Sequence, residues 1–180
     1  APQHGELGGI APNLVYTPTA DFNGSDSFTF QVNDGIEDST VAIVTLLVTP
    51  VNDAPMALDQ VVNTNEDEHV AFILTGFDIE NDSLTYTVAT LPVSGTLGGI
   101  APNLVYTPTA DFVGNETLTF TVTDGVDSSA PATVYLVVDG VNDTPTATDQ
   151  RVSTPEETPL AITLQSGDPD GDALTYSVVT

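Results

Sequence analysis

The chain has 180 residues and carries 26 Asp and Glu against a single Lys or Arg, Arg151, for a formal net charge of −25. One cation cannot neutralise a phosphate backbone, which excludes nucleic acid as a partner and anionic membrane surfaces with it. There is no Cys, so disulfides and thiolate metal sites are excluded, and no apolar run approaches the roughly 18 residues that would span a bilayer.

In chain order, the first feature is LGGIAPNLVYTPTADF at Leu7–Phe22, which recurs letter for letter as Leu97–Phe112. The match extends along the whole chain at an offset of 90 without a gap. FTFQVNDG at Phe28–Gly35 matches LTFTVTDG at Leu118–Gly125, VNDAP at Val51–Pro55 matches VNDTP at Val141–Pro145, and GFDIENDSLTY at Gly76–Tyr86 matches SGDPDGDALTY at Ser166–Tyr176. A domain-sized period of this kind signals a tandem array. With VND-x-P as the linker, residues 51–141 form one complete repeat. Residues 1–50 are then the C-terminal half of a repeat, and 142–180 the N-terminal half of the next. Two arrangements account for this phase: a window on a longer array, or half-repeats completed by neighbouring molecules, head to tail.

Within the complete repeat, Met56–Asn63 reads as a first strand. Val70, Phe72 and Leu74 alternate with other residues, as do Leu84, Tyr86 and Val88. Gly95–Gly98 and Leu104–Thr107 follow, then the alternations Leu118, Phe120, Val122 and Val134, Leu136, Val138. Period two with one apolar face is the half-buried strand signature, and Asp, Asn, Gly or Pro separates the runs. No stretch has helical periodicity. Seven antiparallel strands in about 90 residues predict an all-β fold, a Greek-key immunoglobulin-like sandwich repeated in tandem. The terminal halves then hold about four and three strands, the last covering Ala173–Val178, and expose apolar faces and strand edges.

The acids are 18 Asp and 8 Glu, and short Asp side chains suit turns and oxygen-rich cation loops. Asp168, Asp170 and Asp172 alternate around Gly171, and Asp78, Glu80 and Asp82 alternate around Asn81. Such a turn can aim several carboxylates at one point, as a hard cation such as Ca2+ requires; the alternative is a plain Asp/Gly turn between strands. An EF-hand is rejected, because the distal Glu is missing and a strand follows. Further clusters are Glu66-Asp67-Glu68, the linker pairs Asn52-Asp53 and Asn142-Asp143, the turns at Asp34 and Asp124, and Asp21 and Asp111 in the two TADF turns.

VNDAP, the early Asn-Glu-Asp-Glu run, DPDGDALTY and FTFQVNDG together resemble bacterial cadherin-like or immunoglobulin-like tandem repeats of large secreted adhesins and biofilm matrix proteins, including the RTX type. The resemblance covers the whole chain. It implies Ca2+ held between successive repeats. The junction after the complete repeat would use Glu66, Asp67 and Asp111 from below, Asn142 and Asp143 from the linker, and Asp168 and Asp170 from above. The junction before it would use Asn52, Asp53, Asp78, Glu80 and Asp124, with Asp21 below. The linker is shorter than that of animal cadherins and lacks its second Asn.

Catalysis is not expected: His4 and His69 sit in unrelated contexts and no nucleophile or zincin motif occurs. The sequons at Asn23 and Asn115 read as turn residues, and Tyr16, Tyr86, Tyr106 and Tyr176 as strand residues. A carbohydrate-binding module is the minor alternative. The reading is a non-enzymatic, secreted or cell-surface extender, a rod of sandwiches stiffened by Ca2+ at its junctions. Its partners are neighbouring repeats and, in the fibre alternative, other copies of itself end to end.

Overall fold

A computed structural model gives the fold of residues 1–179; Thr180, the last residue of the predicted third segment, lies outside the described residues. The described residues form β-strands and turns without an α-helix. Two hairpins come first: β1 (Gly5–Ile10) with β2 (Asn13–Pro18), and β3 (Gly24–Phe30) with β4 (Ala42–Val48). Nine strands follow: β5 (Met56–Ala57), β6 (Gln60–Asn65), β7 (Val70–Ile73), β8 (Gly76–Phe77), β9 (Thr85–Thr90), β10 (Gly95–Ile100), β11 (Asn103–Pro108), β12 (Gly114–Thr123) and β13 (Ala132–Asp139). A short pair, β14 (Thr146–Ala147) and β15 (Ser166–Gly167), closes the chain.

The nine central strands make a sandwich. One sheet has the order β6-β13-β12-β9 and the other β10-β11-β7, with the small β5-β8 pair beside them. Alternate residues of β11, β12 and β13 point inward: Leu104 and Tyr106, Leu118, Phe120 and Val122, and Val134, Leu136 and Val138 form the core with Leu74 and Ala132. Each fully buried side chain of this size contributes about 1.5–3 kcal/mol, which is how a cysteine-free sandwich holds together. Tyr106 lies in that core and Tyr86 packs against it, stacked on Phe120 with centroids 6.3 Å apart.

Two details depart from the sequence-based strands. Met56–Asn63, predicted as one strand, is two, because the chain changes sheets at Leu58–Asp59. The Asp59 carboxylate fixes the crossing by accepting the Thr133 N–H at 2.7 Å. After it, β6 runs parallel to β13, Gln60 beside Val134 through Asn65 beside Asp139, so one pairing departs from the antiparallel rule. A register shift between Thr119 and Phe120 interrupts the β9-β12 ladder, and the Thr90 hydroxyl fills the gap by accepting the Thr119 N–H at 2.9 Å.

Residues related by the offset of 90 behave alike where their strand partners are present. The β1-β2 ladder, Gly5 opposite Pro18 through Ile10 opposite Asn13, has the register of β10-β11. Where partners are missing, ladders are too. Gln150–Pro155, Leu160–Thr163 and the predicted strand Ala173–Val178 correspond to β6, β7 and β9, yet form no strand. A strand exists only by pairing, and among the described residues none of these segments has the opposite half of its sandwich beside it.

Candidate metal centre at the repeat junctions

The junction after the central sandwich is built from four turns. Glu66 and Asp67 lie between β6 and β7, Asp111 between β11 and β12, Asp143 in the linker after β13, and Asp170 in the turn after β15. Asp67 and Asp111 have φ of 59° and 56°, a left-handed conformation that Asp tolerates better than most residues. Asp67 Oδ1 accepts the Asp111 N–H at 3.3 Å, tying the two turns together. The linker is pinned at both ends. Glu66, almost fully buried, accepts the Val141 N–H at 2.6 Å, while its own N–H donates to Asp139 O at 2.8 Å. Asp170 Oδ2 accepts the Asp143 N–H at 2.6 Å.

This pinning gathers carboxylates. Glu66, Asp143 and Asp170 each bring an oxygen within 4.8 Å of the others, and so do Asp67, Asp111 and Asp143. Asp143 belongs to both groups. Its Oδ2 is buried and has no hydrogen-bond partner. Burial raises its pKa above the ordinary value, and the charges of Asp170, Asp111, Asp67 and Glu66 add to the rise. Five carboxylates thus converge in a chain whose one Arg or Lys is Arg151. The donor set is oxygen alone, which suits a hard divalent cation such as Ca2+.

The remaining predicted residues sit around this cluster without joining it. Asn142 donates to the Asp143 carbonyl at 2.8 Å. Asp168 Oδ1 accepts the N–H of Asp172 at 3.2 Å, a turn bond rather than a contact with the cluster. Gly171 takes φ of 76° in this turn and Asn81 takes 64° at the matching place, which explains why Gly and Asn interchange there.

The junction before the sandwich repeats part of the pattern. The Asp53 N–H donates to Glu80 Oε2 at 3.3 Å, and Asp21, Asp53 and Glu80 line one hollow. Asp78, nine-tenths buried, caps the turn by accepting the N–H groups of Glu80 and Asp82 at 3.0 and 3.1 Å through Oδ1; its buried Oδ2 has no partner. Asn52 bridges to Asp124 Oδ2 at 2.9 Å and Asp127 Oδ2 at 3.1 Å. The Asn52 amide, followed by the N–H groups of Asp127 and Val126, holds Asp124 below the ordinary carboxylate range. Among the described residues, no three-carboxylate group as close as those at the second junction forms here.

Sequence reasoning missed Asp127, and it missed a pair of loop anchors. Glu116 accepts the N–H groups of Val93 and Ser94 at 2.9 and 3.0 Å. Asp26, its counterpart at the offset of 90, accepts those of Gln3 and His4, both at 2.9 Å. The signal was available: both repeats place an acid inside a strand.

A family model described as the bacterial Ig domain matches residues 1–47 and again residues 52–137. The chain belongs to the bacterial Ig domain family. Solved structures similar to this bacterial Ig-domain chain include human CDH23 EC21-23, with a TM-score of 0.56 and 20% identity over 87% of this chain and 62% of that one. Protocadherin gammaB7 EC3-6, solved as a cis-dimer, gives a TM-score of 0.55 and 15% identity over 94% of this chain and 51% of that one. Cadherin repeats therefore share the fold. The endo-fucoidan hydrolase MfFcnA4 of glycoside hydrolase family 107 is 25% identical over 78% of this chain, at a TM-score of 0.40. The chain spans 23% of that enzyme's length. No curated protein sequence matches the chain.

Proposed function

We propose that this chain is a non-enzymatic extender of a secreted or cell-surface bacterial adhesin, a tandem array stiffened by Ca2+ at its junctions. The repeats divide at 1–50, 51–141 and 142–180. The observation that carries the reading is the unpartnered, buried Oδ2 of Asp143 among four other carboxylates. A buried polar atom without a partner is costly, and like charges around it add to that cost. A divalent cation held by Glu66, Asp67, Asp111, Asp143 and Asp170 removes both penalties. It would supply charge neutralisation and a shared centre for three separate pieces of chain: the turns of the central repeat, the linker, and the turn of the next repeat. Fixing all three to one ion restricts the angle between neighbours, and Pro145 narrows the linker backbone further.

At the junction before the central repeat, Asp21, Asp53, Asp78 and Glu80 supply oxygens of the same kind. Asn52, through Asp124 and Asp127, fixes that linker to the repeat above. Calorimetric titration of the chain with Ca2+ tests the reading. Binding is expected at matched ionic strength, and Asp143→Asn with Glu66→Gln should weaken it by about tenfold or more, some 1.4 kcal/mol. Heat of binding that these substitutions leave unchanged would place the ion elsewhere.

A further inference from the structure

Asn23 is the one asparagine of the chain that a glycine follows. It is exposed, in the turn between β2 and β3, one residue outside the β3-β4 ladder, which opens with Gly24 opposite Val48. Among the described residues its side-chain amide makes no hydrogen bond, whereas those of Asn33, Asn52, Asn65 and Asn142 are each held by one. The exposure belongs to the position itself: the counterpart Val113, inside the complete repeat, is 54% exposed. The glycine belongs to the turn. Gly24 and its counterpart Gly114 have φ of 126° and 148°, a region that side chains rarely adopt. Both copies therefore keep Gly, and the residue before it decides what chemistry the turn can undergo.

We propose that Asn23 is a site of spontaneous, one-way modification: it deamidates, and only the junction before the central sandwich gains a carboxylate in this way. The Gly24 backbone nitrogen attacks Asn23 Cγ, the Cγ–Nδ2 bond breaks, and ammonia leaves with the proton that the backbone nitrogen gives up. Water then opens the resulting five-membered imide at either carbonyl. One opening gives aspartate; the other gives isoaspartate, in which the main chain runs through the side-chain carbonyl. Nothing is oxidised or reduced, and water is the only co-reactant. With no Cβ on Gly24, nothing beside the attacking nitrogen obstructs the approach, and the free amide has no hydrogen bond to break first. Asn23 lines the same hollow as Asp21, Asp53 and Glu80. Both products are anions, so conversion sets a further like charge among three carboxylates that already repel one another. The matching turn of the complete repeat carries Val113, which has no amide to lose, so the two junctions diverge with age.

The conversion does not rest on the calcium reading, and its test is run in EDTA. The unmodified chain is kept in warm, mildly alkaline buffer and followed by intact mass and by mapping of peptides cut at acidic residues. The expected result is the exchange of one NH2 for OH, confined to the peptide that holds Asn23, with separate aspartate and isoaspartate products. An unchanged mass, or a gain that maps to other asparagines, overturns the proposal. Asn23→Val, which takes the residue of the other copy, should abolish the gain. Val113→Asn, placed before Gly114, should add a second one; a Val113→Asn chain that gains no more than the unmodified chain shows that the turn does not permit the attack. The effect on the junction, unlike the conversion, rests on the calcium reading. Asn23→Asp should bind Ca2+ several-fold more tightly than the unmodified chain in calorimetric titration. Equal affinity would mean that the added carboxylate does not reach the ion, and no binding by either chain would sink the calcium reading and this effect with it, while the mass result stands.

Discussion

Asp143 is assigned as an ion ligand in the proposed function because two of its properties conflict. Its backbone N–H is held by Asp170, while burial and four neighbouring charges oppose its ionisation. The sign of its contribution follows. Its pKa is raised above the ordinary 3.8, so without cation the charged form opposes folding. That penalty is in full force above the folded pKa and is relieved as pH falls toward the ordinary value. A bound cation reverses the sign: the pKa drops below the ordinary value, and the carboxylate then contributes stability that is present above it and lost as pH falls. Titration of the Asp143 carboxyl carbon by NMR should give a pKa above the ordinary value in EDTA and one below it in Ca2+. A titration midpoint indifferent to Ca2+ would mean that Asp143 does not touch the ion.

At the scale of the elements, the identical hairpin carries a clear contrast between adjacent glycines. Gly99 has φ of 93°, and a Cβ there would press on the backbone of Asn103, with Leu104 Cα 3.2 Å away. Gly98 has room: the nearest atom to a Cβ is Val105 O at 3.9 Å. Gly99→Ala should therefore destabilise the central sandwich by about 1–3 kcal/mol, and Gly98→Ala should stay within about 0.5 kcal/mol. Urea unfolding of the two variants checks this, and equal losses would contradict the described turn. The strands themselves were legible because alternation at Leu118–Val122 and Val134–Val138 maps directly onto one buried face. The sheet change at Leu58–Asp59 was not, because a strand that crosses between sheets keeps its period of two. The split of the acids into cluster members and turn caps was equally hidden. Asp168 and Asp170 look the same in the sequence, and only the third dimension aims one at Asp143 and the other at Asp172. Asp127 was invisible for a related reason: its partner Asn52 is 75 residues away.

For the whole molecule, the repeat places one chemistry at regular intervals. In the proposed reading each junction draws acids from the turns of one repeat, from a short linker and from the turn of the next, and neutralising them would couple neighbours that otherwise repel. With a net charge of −25, the chain has almost no cation of its own to do this. In the proposed reading, specific Ca2+ binding rather than ionic strength therefore sets the stability of the array. Thermal unfolding in Ca2+ and in EDTA, with ionic strength matched by NaCl, tests it most directly. Ca2+ at about a hundred times its Kd adds about 2.7 kcal/mol per site. For a sandwich of this size that raises Tm by on the order of 10 °C, and Mg2+, which resists irregular oxygen cages, should give a smaller rise. Equal Tm in Ca2+ and in EDTA at matched salt would contradict the calcium-stiffened array.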